Sequence, residues 1–302
     1  MNKKIIFWGT PFFALPGLKA LHDLGLVNAV VTQSDKPAGR GQKLQVSPIK
    51  QYAETNNIPL IQVDDLDKNF VKELKKFLPA TFIIVAFGKM IPQTVLDLSE
   101  LTALNIHPSQ LPLLRGPSPI QSALLQGFSS TAVSLMQLDE KMDHGPILGQ
   151  MELEIDPNDN YFSLEDKLAD VGGELIKKSI LDYLSGSLES SPQDHDQATT
   201  CKLVRKEDGL IDWTKPAEDI INQVRAFILW PGSFTTLKGL ELKITKAITS
   251  LEKLAPEEIK IDGDRLLIGT GTDALQVLEL QPAGKKRMLA ADFMRGYQDK
   301  LK

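Results

Sequence analysis

Cysteine occurs once in the 302 residues, at Cys201. An intrachain disulfide is therefore impossible, a zinc site with several thiolate ligands is excluded, and a reducing compartment is the natural setting. Long hydrophobic runs are missing as well. The longest, around Phe82 to Phe87, falls far short of the ~18 apolar residues that mark a bilayer-spanning helix. At the start of the chain Ile5-Ile6-Phe7-Trp8 stops at Gly9-Thr10-Pro11, below the ~7–15 apolar residues of a signal-peptide core. No export signal and no membrane association are expected, and the protein is expected to be cytoplasmic. Charge of one sign is not in excess: 34 Lys and Arg against 39 Asp and Glu leave a net of -5. No whole-molecule field draws in nucleic acid, so any such contact must be local.

Nucleotide fingerprints are also lacking. Gly9-Thr10-Pro11 stands where a dinucleotide fold places Gly-x-Gly-x-x-Gly, without the second and third glycines, and no P-loop Gly-Lys-Ser/Thr occurs. A dehydrogenase or kinase reading is weak. A serine hydrolase has no support either, because no Gly-x-Ser-x-Gly elbow is present.

What remains is the composition of an ordinary globular chain, 42% hydrophobic and 24% charged, at a length that suggests two domains. Up to residue 185, short runs apolar on both faces (Lys4 to Trp8, Asn28 to Thr32, Thr81 to Ala86, Ala103 to Ile106) read as buried parallel strands. Phe13 to Leu24, Ser47 to Asn57 and Phe70 to Leu78 have the helical spacing of crossovers. Two more strands, Thr131 to Leu138 and Ile147 to Ile155, flank the loop Asp139 to Pro146, and Tyr161 to Leu184 closes the unit as a helix. The expected fold class is α/β, with a Rossmann-like open sheet over residues 1–185. Residues 186–208 are polar and read as a linker. Over 209–302, a helix from Pro216 to Phe227 precedes strands at Phe234 to Leu237, Glu241 to Ile248, Arg265 to Thr270 and Ala274 to Leu280, which suits a small, OB-like β-barrel.

Ligands of open α/β sheets bind beyond the carboxyl ends of the strands, which nominates Gly9, Gly88, Asn105 and Leu138. Asn105 and His107 lie two positions apart on one strand and project from the same face. A turn-forming Asn and a His satisfied by backbone is the commoner fate of such a tripeptide. With Asp143, from the next strand's loop, the three supply an amide donor, a titratable imidazole and a carboxylate, a set suited to acyl transfer.

Asn105-x-His107-Pro-Ser109-Gln-Leu-Pro112, then Arg115-Gly116 and Met142-Asp143-x-Gly145, resemble the signature of the folate-dependent formyltransferases. Phe7-x-Gly9-Thr10-Pro11, Asp35 to Gly41, Lys206 to Trp213, Arg225-Ala226-Phe227, Trp230-Pro231-Gly232 and Gln281 to Lys286 resemble the branch of that family that acts on methionyl-tRNA. The resemblance runs over nearly the whole chain. It implies a formyltransferase domain joined to a barrel that helps hold tRNA, and transfer of the formyl group of 10-formyltetrahydrofolate to the α-amino group of methionine on initiator tRNA. Asn105, His107 and Asp143 fall on the family's catalytic trio; Ser109, Gln110, Leu111 and Pro112 fall on its folate-binding segment. Asn105 and a protonated His107 would stabilise the oxyanion, and Asp143 would help relay a proton to the leaving folate nitrogen. No metal and no covalent intermediate is implied, and a monomer is expected. Gln110, Leu113-Leu114 and Phe87 depart from the family's common Leu, basic-aromatic pair and Tyr.

Charge tests the tRNA expectation. From Gly209 to Lys302, 14 Lys and Arg stand against 13 Asp and Glu, so phosphate contact must rest on local clusters. Lys285 and Lys286 form one, and Lys36, Arg40 and Lys43 in the glycine-bearing loop form another. A short charge run is more often a solvated loop. Two other readings stay open: the same chemistry on a small amine, and a binding protein that retains the fold without turnover.

Overall fold

The computed structural model describes residues 3–38 and 43–301, with the side chains of Pro37, Ala38, Lys43 and Gln298 outside that description. In chain order the regular elements are β1 (Ile5–Gly9), α1 (Leu15–Asp23), β2 (Val27–Gln33), β3 (Lys36–Ala38), β4 (Lys43–Gln45), α2 (Pro48–Thr55), β5 (Leu60–Val63) and α3 (Lys68–Leu74). They continue with β6 (Thr81–Val85), α4 (Gln93–Leu96), β7 (Leu104–His107), α5 (Pro119–Leu125), β8 (Ser130–Gln137), β9 (Ile147–Glu154) and α6 (Tyr161–Ser185). Last come α7 (Ala217–Ala226), β10 (Ser233–Leu237), β11 (Leu240–Ser250), β12 (Ile259–Asp262), β13 (Arg265–Gly269), β14 (Ala274–Pro282), β15 (Met288–Leu289) and α8 (Ala290–Leu301).

The first compact unit runs to Gly116 and includes Ser130–Glu154 and Glu165–Thr200. Its seven-stranded sheet has the order β5-β2-β1-β6-β7-β8-β9. The pairs from β5 to β7 are parallel, whereas β8 and β9 join antiparallel. β1 and β6 are buried along their whole length, as central strands with both faces covered must be. Trp8 anchors one face, with the rings of Phe70, Phe82 and Phe87 at 5.3 to 5.5 Å. The helices start where the sequence supplies caps: Ser47 accepts the Lys50 N–H ahead of Pro48, and Asp67 accepts that of Phe70. Chain order reverses between β1 and β6, so the crevice of this α/β sheet opens at their carboxyl ends, beside β7.

The second unit comprises Pro117–Ser129, Ile155–Leu164 and Cys201 onward. An antiparallel sheet, β10-β11-β14-β13-β12 with β15 on β14, curls as a small β-barrel over a core that includes Trp213, Ile220, Leu242, Leu266 and Phe293. Two segments that read as part of the first domain thus group with the second. Inside this unit α5 packs on α7, and the Arg225 guanidinium donates to the carbonyl oxygens of Asp156, Pro157 and Asp159. The polar stretch 186–208 divides: residues up to Thr200 belong to the first unit and those from Cys201 to the second. The edge strands β5 and β12, the short β15, and α4, α5 and α8 are elements the sequence pattern leaves unassigned.

Candidate active site

β7 alternates buried Leu104 and Ile106 with Asn105 and His107, so the last two share a face at the strand's carboxyl end. The His107 ring is 5% exposed, and its Nε2 lies 3.0 Å from the backbone oxygen of Leu114. A carbonyl oxygen only accepts, so Nε2 carries hydrogen and donates there. Nδ1 faces Asp143 Oδ2 at 3.6 Å, within ion-pair range but beyond a hydrogen bond. The Asn105 amide makes no hydrogen bond with any described residue and remains free to donate. The backbone-satisfied histidine that commonly explains such a tripeptide is therefore half of what is found: one ring nitrogen is spent on backbone, the other is not.

Asp143 reaches this position through an uncommon backbone, with φ +51, and its Oδ2 accepts the Gly116 N–H at 2.8 Å. Gly145 is required by close approach, since a Cβ there would lie 2.1 Å from the Gln137 oxygen. The same loop that brings Asp143 in thus excludes any side chain two residues later.

Between His107 and Leu114 the chain folds into a turn braced from β8 and β9. Ser109 Oγ donates to the Leu113 oxygen at 2.6 Å, and Ser134 Oγ donates to the Ser109 oxygen at 2.7 Å. Ser134 Oγ also accepts the Leu111 N–H, and the Gln150 amide donates to the Leu111 oxygen. Ser109 and Leu111 are buried and shape the turn from within. Gln110, bonded to Glu152 at 3.1 Å, and Pro112 are the members of the segment that reach the surface.

The basic residues lie elsewhere. Lys36 is exposed on β3 and donates to Gln33 Oε1 at 2.9 Å. Arg40 and the Lys43 side chain lie outside the described residues. Lys285 and Lys286 are exposed in the turn joining β14 to β15, where Gln281 donates to the Lys285 oxygen at 2.7 Å. Among the described residues no cluster of His, Cys, Asp and Glu could hold a metal ion, and no helix is long and apolar enough to cross a membrane. The sequence pattern gives no sign of the segment 191–200, whose Gln193 bonds the Asp143 and Gly145 oxygens and whose Thr199 Oγ1 accepts the Leu114 N–H; its polar composition is that of a linker and carries no periodic signal.

Residues 3–180 match the family model described as formyl transferase, and 203–298 match that of the formyl transferase C-terminal domain. The chain belongs to the formyl transferase family. The methionyl-tRNA formyltransferase of Koribacter versatilis is 40% identical over 97% of this chain and 96% of its own length. That of Myxococcus xanthus is 39% identical over 98% and 95%. Among solved structures, the N-formyltransferase of Helicobacter canadensis in complex with folinic acid and dTDP-3-aminofucose is similar with a TM-score of 0.68. It covers 93% of this formyl transferase and 99% of that chain at 20% identity, a likeness of fold.

Proposed function

We propose that this formyl transferase moves the formyl group of 10-formyltetrahydrofolate to the α-amino group of methionine on initiator tRNA, the reaction that readies that tRNA for translation initiation. Identity of 40% to a methionyl-tRNA formyltransferase along nearly the full chain supports the acceptor. The chemistry rests on one observation: His107 is anchored at Nε2 by the Leu114 oxygen, which leaves Nδ1 turned to Asp143, on the strand that also carries Asn105.

In this reading the neutral amine attacks the formyl carbon, a new C–N bond forms, and the carbonyl electron pair moves onto oxygen. The Asn105 N–H groups stabilise that oxyanion where water is sparse. His107 Nδ1 takes the proton released by the attacking amine, and the imidazolium so formed, attracted by the Asp143 carboxylate, is the protonated His107 that joins Asn105 in stabilising the oxyanion. The same proton passes to N10 of the folate as its bond to the formyl carbon breaks. As that bond breaks, the electron pair on oxygen restores the carbonyl, so the products are the formyl amide and tetrahydrofolate, and no covalent bond to the protein forms.

In this account residues 1–185 supply the catalytic chemistry, the stretch from there to Thr200 belongs to the same unit, and 209–302 form the barrel that assists tRNA. Gln110 and Pro112 border the folate on a turn shaped by Ser109 and Leu111, while Lys36, Arg40, Lys43, Lys285 and Lys286 contact tRNA phosphates. The protein acts as a cytoplasmic monomer, without a metal. The test is incubation with 10-formyltetrahydrofolate and either methionyl initiator tRNA or small amines, followed by identification of the product. Formylmethionyl-tRNA is expected. Formylation of a sugar amine alone, or folate binding without any product, overturns the proposal.

A further inference from the structure

The segment 191–200 is tied down at both ends. Ser191 and Ile147 exchange both backbone hydrogen bonds at 2.8 Å, and the N–H of Arg115 donates to the Thr199 oxygen at 2.9 Å. Between these anchors Gln193 is 5% exposed. Its Nε2 donates to the backbone oxygens of Asp143 at 3.0 Å and Gly145 at 2.7 Å. Its Oε1 accepts from Arg115 Nε at 3.0 Å and from an Arg115 terminal nitrogen at 2.6 Å. A primary amide has two N–H donors and two acceptor lone pairs, so all four are engaged.

The surroundings make this amide the hinge of a larger brace. The same Arg115 nitrogen lies 2.9 Å from His195 Nδ1, and the His195 ring stacks on His144 with centroids 4.0 Å apart and planes 7° from parallel. His144 Nδ1 in turn pairs with Asp139 Oδ2 at 2.6 Å. Asp143 holds a left-handed backbone that a non-glycine residue adopts only when its neighbours impose it. The two carbonyls that Gln193 clamps flank His144, on the stretch that sets where the Asp143 carboxylate points.

We infer that Gln193 is a positioning residue for formyl transfer: its amide fixes the Asp143–Gly145 backbone and thereby holds the Asp143 carboxylate at His107 Nδ1. This rests on the reading that Asp143 serves the reaction. A glutamine that merely filled space would affect stability alone; one that aims a carboxylate affects turnover at little change in substrate binding.

The test uses the full-length enzyme and the variants Q193A, Q193E, D143N and Q193A/D143N, with turnover, both KM values and thermal unfolding measured for each. Glu is close in size and keeps an acceptor for Arg115, but sets an oxygen against two carbonyl oxygens where Nε2 donated. Turnover of Q193A and Q193E is expected to fall about 10²-fold with KM for folate and tRNA within about threefold, because misplacing a reacting group costs rate before affinity. The double variant is expected to be no slower than D143N, since the two residues act as one unit. If Q193A does not fold, Q193E decides by the same readouts. A slow D143N beside a fully active Q193E overturns the positioning role alone, as does a double variant whose loss is the product of the single losses. A fully active D143N overturns the role of Asp143 and, with it, that of Gln193.

Discussion

The His107 ring is held at Nε2 by the backbone oxygen of Leu114, 3.0 Å away, so Nδ1 is the nitrogen that meets Asp143, at 3.6 Å. The two ring nitrogens therefore have separable tasks, one in holding the ring and one in moving a proton. A glutamine amide nitrogen can stand in for Nε2 but offers nothing at the position of Nδ1. His107→Gln is expected to keep the unfolding temperature near that of the parent while turnover falls about 10²–10⁴-fold, the range of general acid–base assistance. Steady-state rates beside thermal denaturation check this. Full activity in the variant rules the imidazole out of the reaction.

Asp143→Asn tests the carboxylate with little disturbance. The Asn Oδ1 can still accept the Gly116 N–H, a bond of 2.8 Å in the parent, so the loop keeps its inner contact and loses only charge. Turnover is expected to drop about 10²-fold or more, with folate affinity unchanged by equilibrium titration. A drop in folate affinity as large as the drop in rate places Asp143 in binding instead.

Lys285 and Lys286 are exposed neighbours in one turn. Replacing both with Ala is expected to weaken productive use of tRNA at low salt and to flatten its salt dependence by about one unit of log–log slope per lysine. Catalytic efficiency toward methionyl-tRNA at a series of salt concentrations reads the slope. An unchanged slope returns the pair to the class of solvated loops. Folate affinity serves as the control, and the same series on Arg40→Ala tests the loop of Lys36 and Lys43.

Tyr183 offers a stability prediction with a definite sign. Its ring is 6% exposed and its hydroxyl donates to the Thr102 oxygen at 2.6 Å. Burial pushes the phenol above its ordinary value. A group raised in the folded state contributes fully below its unfolded value, about 10, and loses that contribution as pH rises through the folded value, because the unfolded chain ionises first. Tyr183→Phe is expected to cost about 1 kcal/mol at neutral pH, where one hydrogen bond is lost. The variant is also expected to lose less stability than the parent between neutral pH and about one unit above pH 10. Urea unfolding of both proteins at the two pH values measures this, and equal alkaline losses contradict it.

Central strands were legible because burial on both faces selects continuous apolar runs: β1 and β6 lie within a residue of Lys4–Trp8 and Thr81–Ala86. The edge strand β5, Leu60-Ile61-Gln62-Val63, was not, because an edge needs only alternate apolar residues and four of them do not establish a period. The helix α8 was also missed. Its buried Ala290, Phe293, Met294 and Leu301 have helical spacing, but Gly296 interrupts the segment and only the barrel core shows that its inner face is covered.

By itself the sequence determined the alternation that puts Asn105 and His107 on one face, since side chains along a strand repeat every two residues whatever surrounds them. It also determined the order of motifs that marks a formyl transferase. Tertiary structure alone decided which nitrogen of His107 remains available, because that depends on Leu114, seven residues on, curling back over the ring. It alone placed Gln193, 50 residues beyond Asp143, under the loop it holds. Strand periodicity acts between near neighbours and can be read along the chain. A hydrogen bond between segments far apart in sequence leaves no period, and exists only once the sheet and its loops have folded.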